Sequence, residues 1–345
     1  SSVVRQYFTY DNAKAGVLQL ASRLFSLGFQ SVPDAEKWAP DVEVFDVYSF
    51  DAGVTNTGFP PAATASTAEE RADIDNGVLL GRIYLDMHPR EGKYKHAASF
   101  PMVSGLHGRH LTQTALATNF PAEGPMEHSQ VVTFLHEFGH LLHTVIGGVG
   151  QQYAMFSGVA TEWDFVEAPS QSLEEWAWRA DVLQTFARNP QGEVIPTELV
   201  TKMVEAHDFG VGINTRQQVF YAFISLEYYN RDPTGLDTTA ELIELEGQLS
   251  PYPYVQGTHF NCNFGHLVGY SSAYYTYQWS LAIAKDMYTK FQAGEADGTS
   301  AEVDASYSHK VLNPGGREDA AVLLENFLGR PYNLDAYRSW LAPPS

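Results

Sequence analysis

Two histidines four residues apart, with a glutamate directly after the first, stand at His136-Glu137-Phe138-Gly139-His140. On a helix such histidines lie one turn above each other, so both imidazoles can reach one metal ion while the Glu137 carboxylate points beside it. That spacing is a zinc-hydrolase signature, in which the glutamate serves as general base. The helix is expected on other grounds as well. Val131, Val132, Phe134, Leu135, Phe138, Leu141, Leu142, Val145 and Ile146 recur at helical spacing, and Gly147-Gly148 supplies a stop. At about 100° per residue, His136, His140 and His143 fall on one narrow stripe of this otherwise apolar helix. A single histidine there reads best as a hydrogen-bonded core or surface residue. Burying three for no purpose is costly, and with Glu137 between two of them the set reads as a metal site.

A peptidase zinc site needs three protein ligands and an open position for water. The best donor for the third is Glu167, in Glu162-Trp163-Asp164-Phe165-Val166-Glu167-Ala168-Pro169-Ser170-Gln171. If a helix runs through Pro169, then Asp164, Glu167, Gln171 and Glu174 share one face and can offer a ligand together with hydrogen-bond partners for the ligating histidines. Phe165, Val166, Leu173, Trp176 and Trp178 would pack away from that face. If Pro169 instead opens the helix, Glu167 precedes the first turn and the acidic face is an ordinary solvated one. Both readings stand on spacing alone, and Glu162, Glu174 and Glu175 compete for the third position.

A later segment, His259 to Tyr277, gathers histidines, glycines and tyrosines. Gly265 and Gly269 around His266 suggest a loop free to change shape, and phenolic O–H groups can steady a developing oxyanion. His266, Tyr270 and Tyr277 are the candidates for that work. Aromatic clusters also build cores, and Tyr275 is expected to pack.

These residues need a scaffold. Residues 13–29 read as an amphipathic helix ending near Gly28, with Val17, Leu18, Leu20, Leu24, Phe25 and Leu27 on or near its apolar face. Val42–Phe50 and Leu79–Asp86 have strand composition and are expected to be neighbours in a small sheet. Residues 53–75 are rich in Ala, Thr, Gly and Pro and are expected to form a mobile surface insertion. His88 to Lys93 is a charged turn, and Ala97–Val103 is a further strand. Beyond it the chain becomes mainly helical, with no linker dividing it. A single domain over residues 1–345 is expected, its N-terminal helix and sheet in 1–128 and its helical catalytic part in 129–345.

The 345 residues are 44% hydrophobic and 13% aromatic, enough for a substantial core. The 21 basic and 41 acidic residues give a formal charge of -20, which disfavours nucleic acid and anionic membranes as partners. The single cysteine, Cys262, excludes an internal disulfide or a cysteine-based zinc site, and suggests a reducing, cytoplasmic setting. No apolar run reaches bilayer-spanning length, and the start lacks the pattern of a secretion signal. Beginning at Ser1, the chain reads as a processed or excised piece.

Together these segments resemble the thimet oligopeptidase and neurolysin family of zinc peptidases. The likeness is carried by Phe134 to His143, by Ala154-Met155-Phe156-Ser157-Gly158 and by Asp164 to Gln171. Further matches are Phe264-Gly265-His266-Leu267, Tyr270, Tyr274-Tyr275, Tyr277, Trp279-Ser280, Pro314-Gly315-Gly316 and Glu318-Asp319-Ala320. Upstream, Gly81 to Asp86 and Arg90 to Ala98 also fit. The resemblance implies a mainly helical α+β zincin with a small antiparallel or mixed sheet near the N-terminus and a helical bundle after it. It implies one zinc ion on His136, His140 and Glu167, with Glu137 as general base. It makes Glu174 a carboxylate supporting the ligands, moves His143 to a supporting position or the core, and gives His266, Tyr270 and Tyr277 substrate and transition-state contacts, with Tyr274 lining the site. The implied activity is endopeptidase cleavage of short unstructured peptides. Alternatives are a dipeptidyl carboxypeptidase, or an inactive zinc-binding fragment. Family members are longer, so by this resemblance the chain corresponds to the catalytic half, with its cleft completed by a separate N-terminal half, by self-association, or not at all.

Overall fold

The computed structural model describes residues 2–51, 53–54 and 77–342. The expected insertion 53–75 therefore lies outside the described residues, save for its first two. Helix α1 (Tyr10–Phe25) starts where the Thr9 side chain accepts the Asn12 amide, and it buries Val17, Leu20 and Leu24 at helical spacing. It stops at Ser26, whose backbone is left-handed, two residues before the expected glycine. Gly28 lies in strand β1 (Leu27–Ser31), where an added Cβ would sit 2.7 Å from the Phe50 ring, so this glycine makes room instead of ending a helix.

Strands β2 (Glu43–Ser49), β3 (Val78–Asp86), β4 (Ala98–Val103) and β5 (Thr112–Ala117) complete a five-stranded mixed sheet ordered β1-β2-β3-β5-β4. β2 and β3 are antiparallel neighbours as expected, and β3 runs parallel to β5. β4 is an edge strand paired only to β5, with Phe100 and Met102 exposed. At the end of β3, the buried carboxylate of Asp86 takes two hydrogen bonds from Arg90 and pairs with Lys93 at 2.8 Å. Lys93 also donates to the backbone oxygens of Asp86 and His88, so the charged turn is tied down before β4 begins.

The long helix α2 (His128–Ile146) lies under the sheet and buries Val131, Phe134, Leu135, Phe138, Leu141, Leu142 and Val145. Helix α3 (Ala168–Glu174) crosses it at Gly139, where an added Cβ would stand 2.7 Å from the Ser170 Cα. Only glycine permits so close a crossing. The main core joins α1, the sheet, α2, α3 and the helices after residue 276. A second, smaller core lies between α4 (Val211–Tyr229) and α5 (Thr238–Leu249) and includes Phe220, Ile224, Leu242, Leu245, Phe264 and Tyr274. Helix α6 (Thr276–Asp297) packs on α3 and leads back to the main core. This is the expected zincin architecture, a mixed sheet followed by helices.

Candidate metal centre and catalytic residues

α2 carries His136 and His140 one turn apart, their rings 5.0 Å from centroid to centroid. Across the Gly139 crossing, the fully buried Glu167 places one carboxylate oxygen 3.1 Å from His136 Nε2 and 2.9 Å from His140 Nε2. The donor atoms of His136, His140 and Glu167 all lie within 4.8 Å of one another, the one such group among the described residues. Pro169 sits in the first turn of α3 and Glu167 is the residue just before the helix. The proline-first geometry therefore holds, yet Glu167 still reaches the histidines because α3 points its start at them.

The donor set fits zinc. Two imidazoles and one carboxylate are the ligands of an open, catalytic zinc site, and Glu167 has been buried where a cation is needed to offset its charge. Burial alone would raise the Glu167 carboxyl, but His140 and His136 outweigh it and hold it well below the usual carboxylate range. Burial likewise opposes a charged His136, and Glu167 with Glu174 outweighs that, holding the imidazole well above its usual range. His136 Nδ1 lies 2.6 Å from Glu174 Oε1, which leaves Nε2 turned to the ligand side. Ser170 Oγ donates at 3.1 Å to the same Glu167 oxygen that faces the two histidines. Sequence reasoning missed this serine, although its place one turn after Glu167 was the available signal.

Glu137 is buried, and desolvation raises its carboxyl above the ordinary range. The nearby histidines and the Ser99 backbone amide of β4 act against that rise. Glu137 thus lies between the metal donors and the edge strand of the sheet.

The tyrosine segment reaches the same centre from the other side. Tyr270 donates its hydroxyl to the second oxygen of Glu167, and the Tyr277 ring lies 5.2 Å from the Tyr270 ring. Burial, then the Glu167 charge, raises both phenols above their usual range, so both remain protonated donors. The His266 ring lies 5.6 Å from both Tyr270 and Tyr277, and burial lowers its pKa, favouring neutral imidazole. Gln171 Nε2 donates to the Tyr277 carbonyl at 3.0 Å, fastening α3 to the start of α6.

Other expected residues fall elsewhere. Asp164 does not share a helical face with Glu167, because α3 begins only at Ala168. Its carboxylate accepts the Tyr275 hydroxyl at 3.2 Å. Tyr275, expected to pack, is exposed over much of its surface. His143 is fully buried, and neither ring nitrogen has a hydrogen-bond partner. Burial first, and His140 second, pushes its pKa down to about 3. Tyr274 is buried in the smaller core, its hydroxyl 3.0 Å from Gln218 and its ring 5.1 Å from His266, so it backs His266. Of the competing carboxylates, Glu162 accepts the Ala320 amide and Glu175 pairs with Lys285.

Two half-buried histidines and a fully buried glutamate on crossing helices, with a second glutamate between the histidines and phenols beside them, define a zincin-type metallopeptidase centre. The chain belongs to peptidase family M3, whose model matches residues 1–59 and 69–342. It is 30% identical to the thimet-like oligopeptidase of Dictyostelium discoideum over 98% of this chain and 48% of that protein. It is also 30% identical to saccharolysin of Saccharomyces cerevisiae over 97% of this chain and 46% of the relative. A mitochondrial intermediate peptidase of Arabidopsis thaliana matches at 30% over 96% and 44% respectively. The chain spans about half the length of the curated relatives it matches.

Proposed function

We propose that the chain carries the catalytic centre of a zinc endopeptidase acting on short, unstructured peptides. The observation that carries this reading is the position of Glu137, buried beside the metal donors and next to the Ser99 amide of an exposed edge strand. An edge strand offers unpaired backbone groups on which an extended peptide can lie, and a folded protein has few extended segments to offer. His136, His140 and Glu167 would hold zinc, which supplies a Lewis acid to polarise a carbonyl and to acidify water. Glu137 takes the proton of the attacking water and passes it to the leaving amine, and its raised carboxyl pKa suits both steps. Tyr270 and Tyr277, with His266, donate to the oxyanion.

The test incubates the chain with zinc and a short quenched-fluorescent peptide and maps the cuts by mass spectrometry. Internal cuts are expected. Glu137→Gln should retain zinc and lose roughly 100-fold to 10,000-fold in turnover, the usual contribution of a general base. Undiminished turnover in that variant would sink the assignment. Release of C-terminal dipeptides alone would mark a carboxypeptidase, and a zinc-loaded chain that cuts nothing would mark a centre that needs a second polypeptide.

A further inference from the structure

Trp163 stands against Tyr270, beside the candidate metal centre, with more than half of its surface exposed, although the next apolar residue, Phe165, is buried. Its indole meets the Tyr270 ring at 5.0 Å between centroids and 70° between planes, and Tyr270 in turn reaches Glu167. Exposure alone would mean little for a loop residue. This loop, however, is pinned on all sides. The Trp163 carbonyl accepts the Thr276 hydroxyl, the Asp164 carbonyl accepts Ser280 Oγ at 2.8 Å, and the Asp164 carboxylate accepts Tyr275. Just before it, Glu162 accepts the Ala320 amide at 2.8 Å. A large aromatic surface has therefore been fixed in place and left uncovered next to a phenol that is hydrogen-bonded to Glu167.

Resting on the peptidase reading above, we infer that Trp163 forms the wall of a subsite for an aromatic side chain of the bound peptide, close to the scissile bond. The edge-to-face contact with Tyr270 leaves indole surface for a second ring, and such aromatic pairs add selectivity beyond their buried area. The indole is large and rigid, so little ordering entropy offsets the contact. Because Trp163 touches Tyr270, a ring bound there also bears on the residue that donates to the oxyanion.

The test compares two peptides that differ only in Phe or Ala at each position within a few residues of the cut. Wild type should favour Phe over Ala by roughly 10-fold in kcat/KM at one position, and Trp163→Ala should abolish that ratio, as an aromatic pair of this strength predicts. Trp163→Phe, which keeps a ring, should restore part of it and so excludes simple misfolding. Binding of the same peptides to the uncleaving Glu137→Gln protein, with and without Trp163→Ala, separates this inference from the peptidase reading. A Phe preference in binding that depends on Trp163 upholds the subsite even where wild type cuts nothing. A Phe-to-Ala ratio unchanged by Trp163→Ala, or a preference for Arg lost in its place, overturns it.

Discussion

The metal donors and the phenolic donors lie within hydrogen-bond reach of each other, yet they stand on different foundations. His136, His140 and Glu167 rise from two helices embedded in the main core, with Glu167 fully buried and held by Ser170. Tyr270 and His266 belong to a short stretch attached to the smaller core of α4 and α5. Around them Gly265 and Gly269 have open space where a side chain would be, and Ser271 takes a left-handed backbone. The first region is built to keep one geometry. The second has room to shift, and the proposed chemistry asks it to: the Tyr270 hydroxyl is engaged by Glu167 and would have to turn away from it to reach an oxyanion.

The comparison can be broken at the phenol. Tyr270→Phe should cost roughly 100-fold or more in kcat, the usual loss for one oxyanion donor. Zinc content measured on the same protein should not change. If zinc is lost as well, Tyr270 serves to hold Glu167 and the two regions are a single unit. A smaller effect should follow from within the metal region. Glu174→Gln weakens the grip on His136 Nδ1 and should lower zinc affinity by roughly 10-fold to 100-fold in competition with a chelator. Turnover at saturating zinc should move much less, and the reverse pattern would make Glu174 a participant in the reaction.

The smallest effect concerns stability. His143 is buried with both nitrogens unpartnered, and removing such a group should stabilise the fold by on the order of 1 kcal/mol. Its pKa in the fold is about 3, against 6.5 when unfolded, so below 6.5 the unfolded chain takes up a proton that the folded chain refuses. The wild type should then lose about 1.4 kcal/mol per pH unit through this group as pH falls from that value toward 3. Urea unfolding of His143→Leu and wild type in chelator, at neutral and acidic pH, should show the variant more stable and less acid-sensitive. A variant that is less stable at neutral pH would mean that His143 has a partner in solution.

Much of the centre was legible because it lies on one regular element. The apolar spacing around His136 and His140 fixes α2, and α2 fixes both imidazoles. Glu167 was legible as a residue and not as a geometry, since periodicity favoured a shared face that includes Asp164 while Pro169 delays the helix until Ala168. Two strands escaped notice. β1, Leu-Gly-Phe-Gln-Ser, follows α1 without a loop, and β5, Thr-Gln-Thr-Ala-Leu-Ala, has few residues of strong strand preference. Their pairing with β2 and with β3 and β4 comes from tertiary context, which no local window carries. The same holds for the smaller core, whose members are dispersed from Phe220 to Tyr274. Trp163 escaped because its meaning lies in exposure and in the anchoring of its loop.

The contact at Gly139 bears on how this centre can change over evolutionary time. Two helix backbones touch there, so the spacing between His140 and Glu167 is set by the absence of a methyl group and not by any side chain that could be exchanged for a similar one. Most parts of a binding site can drift through gradual substitutions. This one has no neighbouring solution: a single carbon added at position 139 would push α3, and the carboxylate it aims, away from both imidazoles at once.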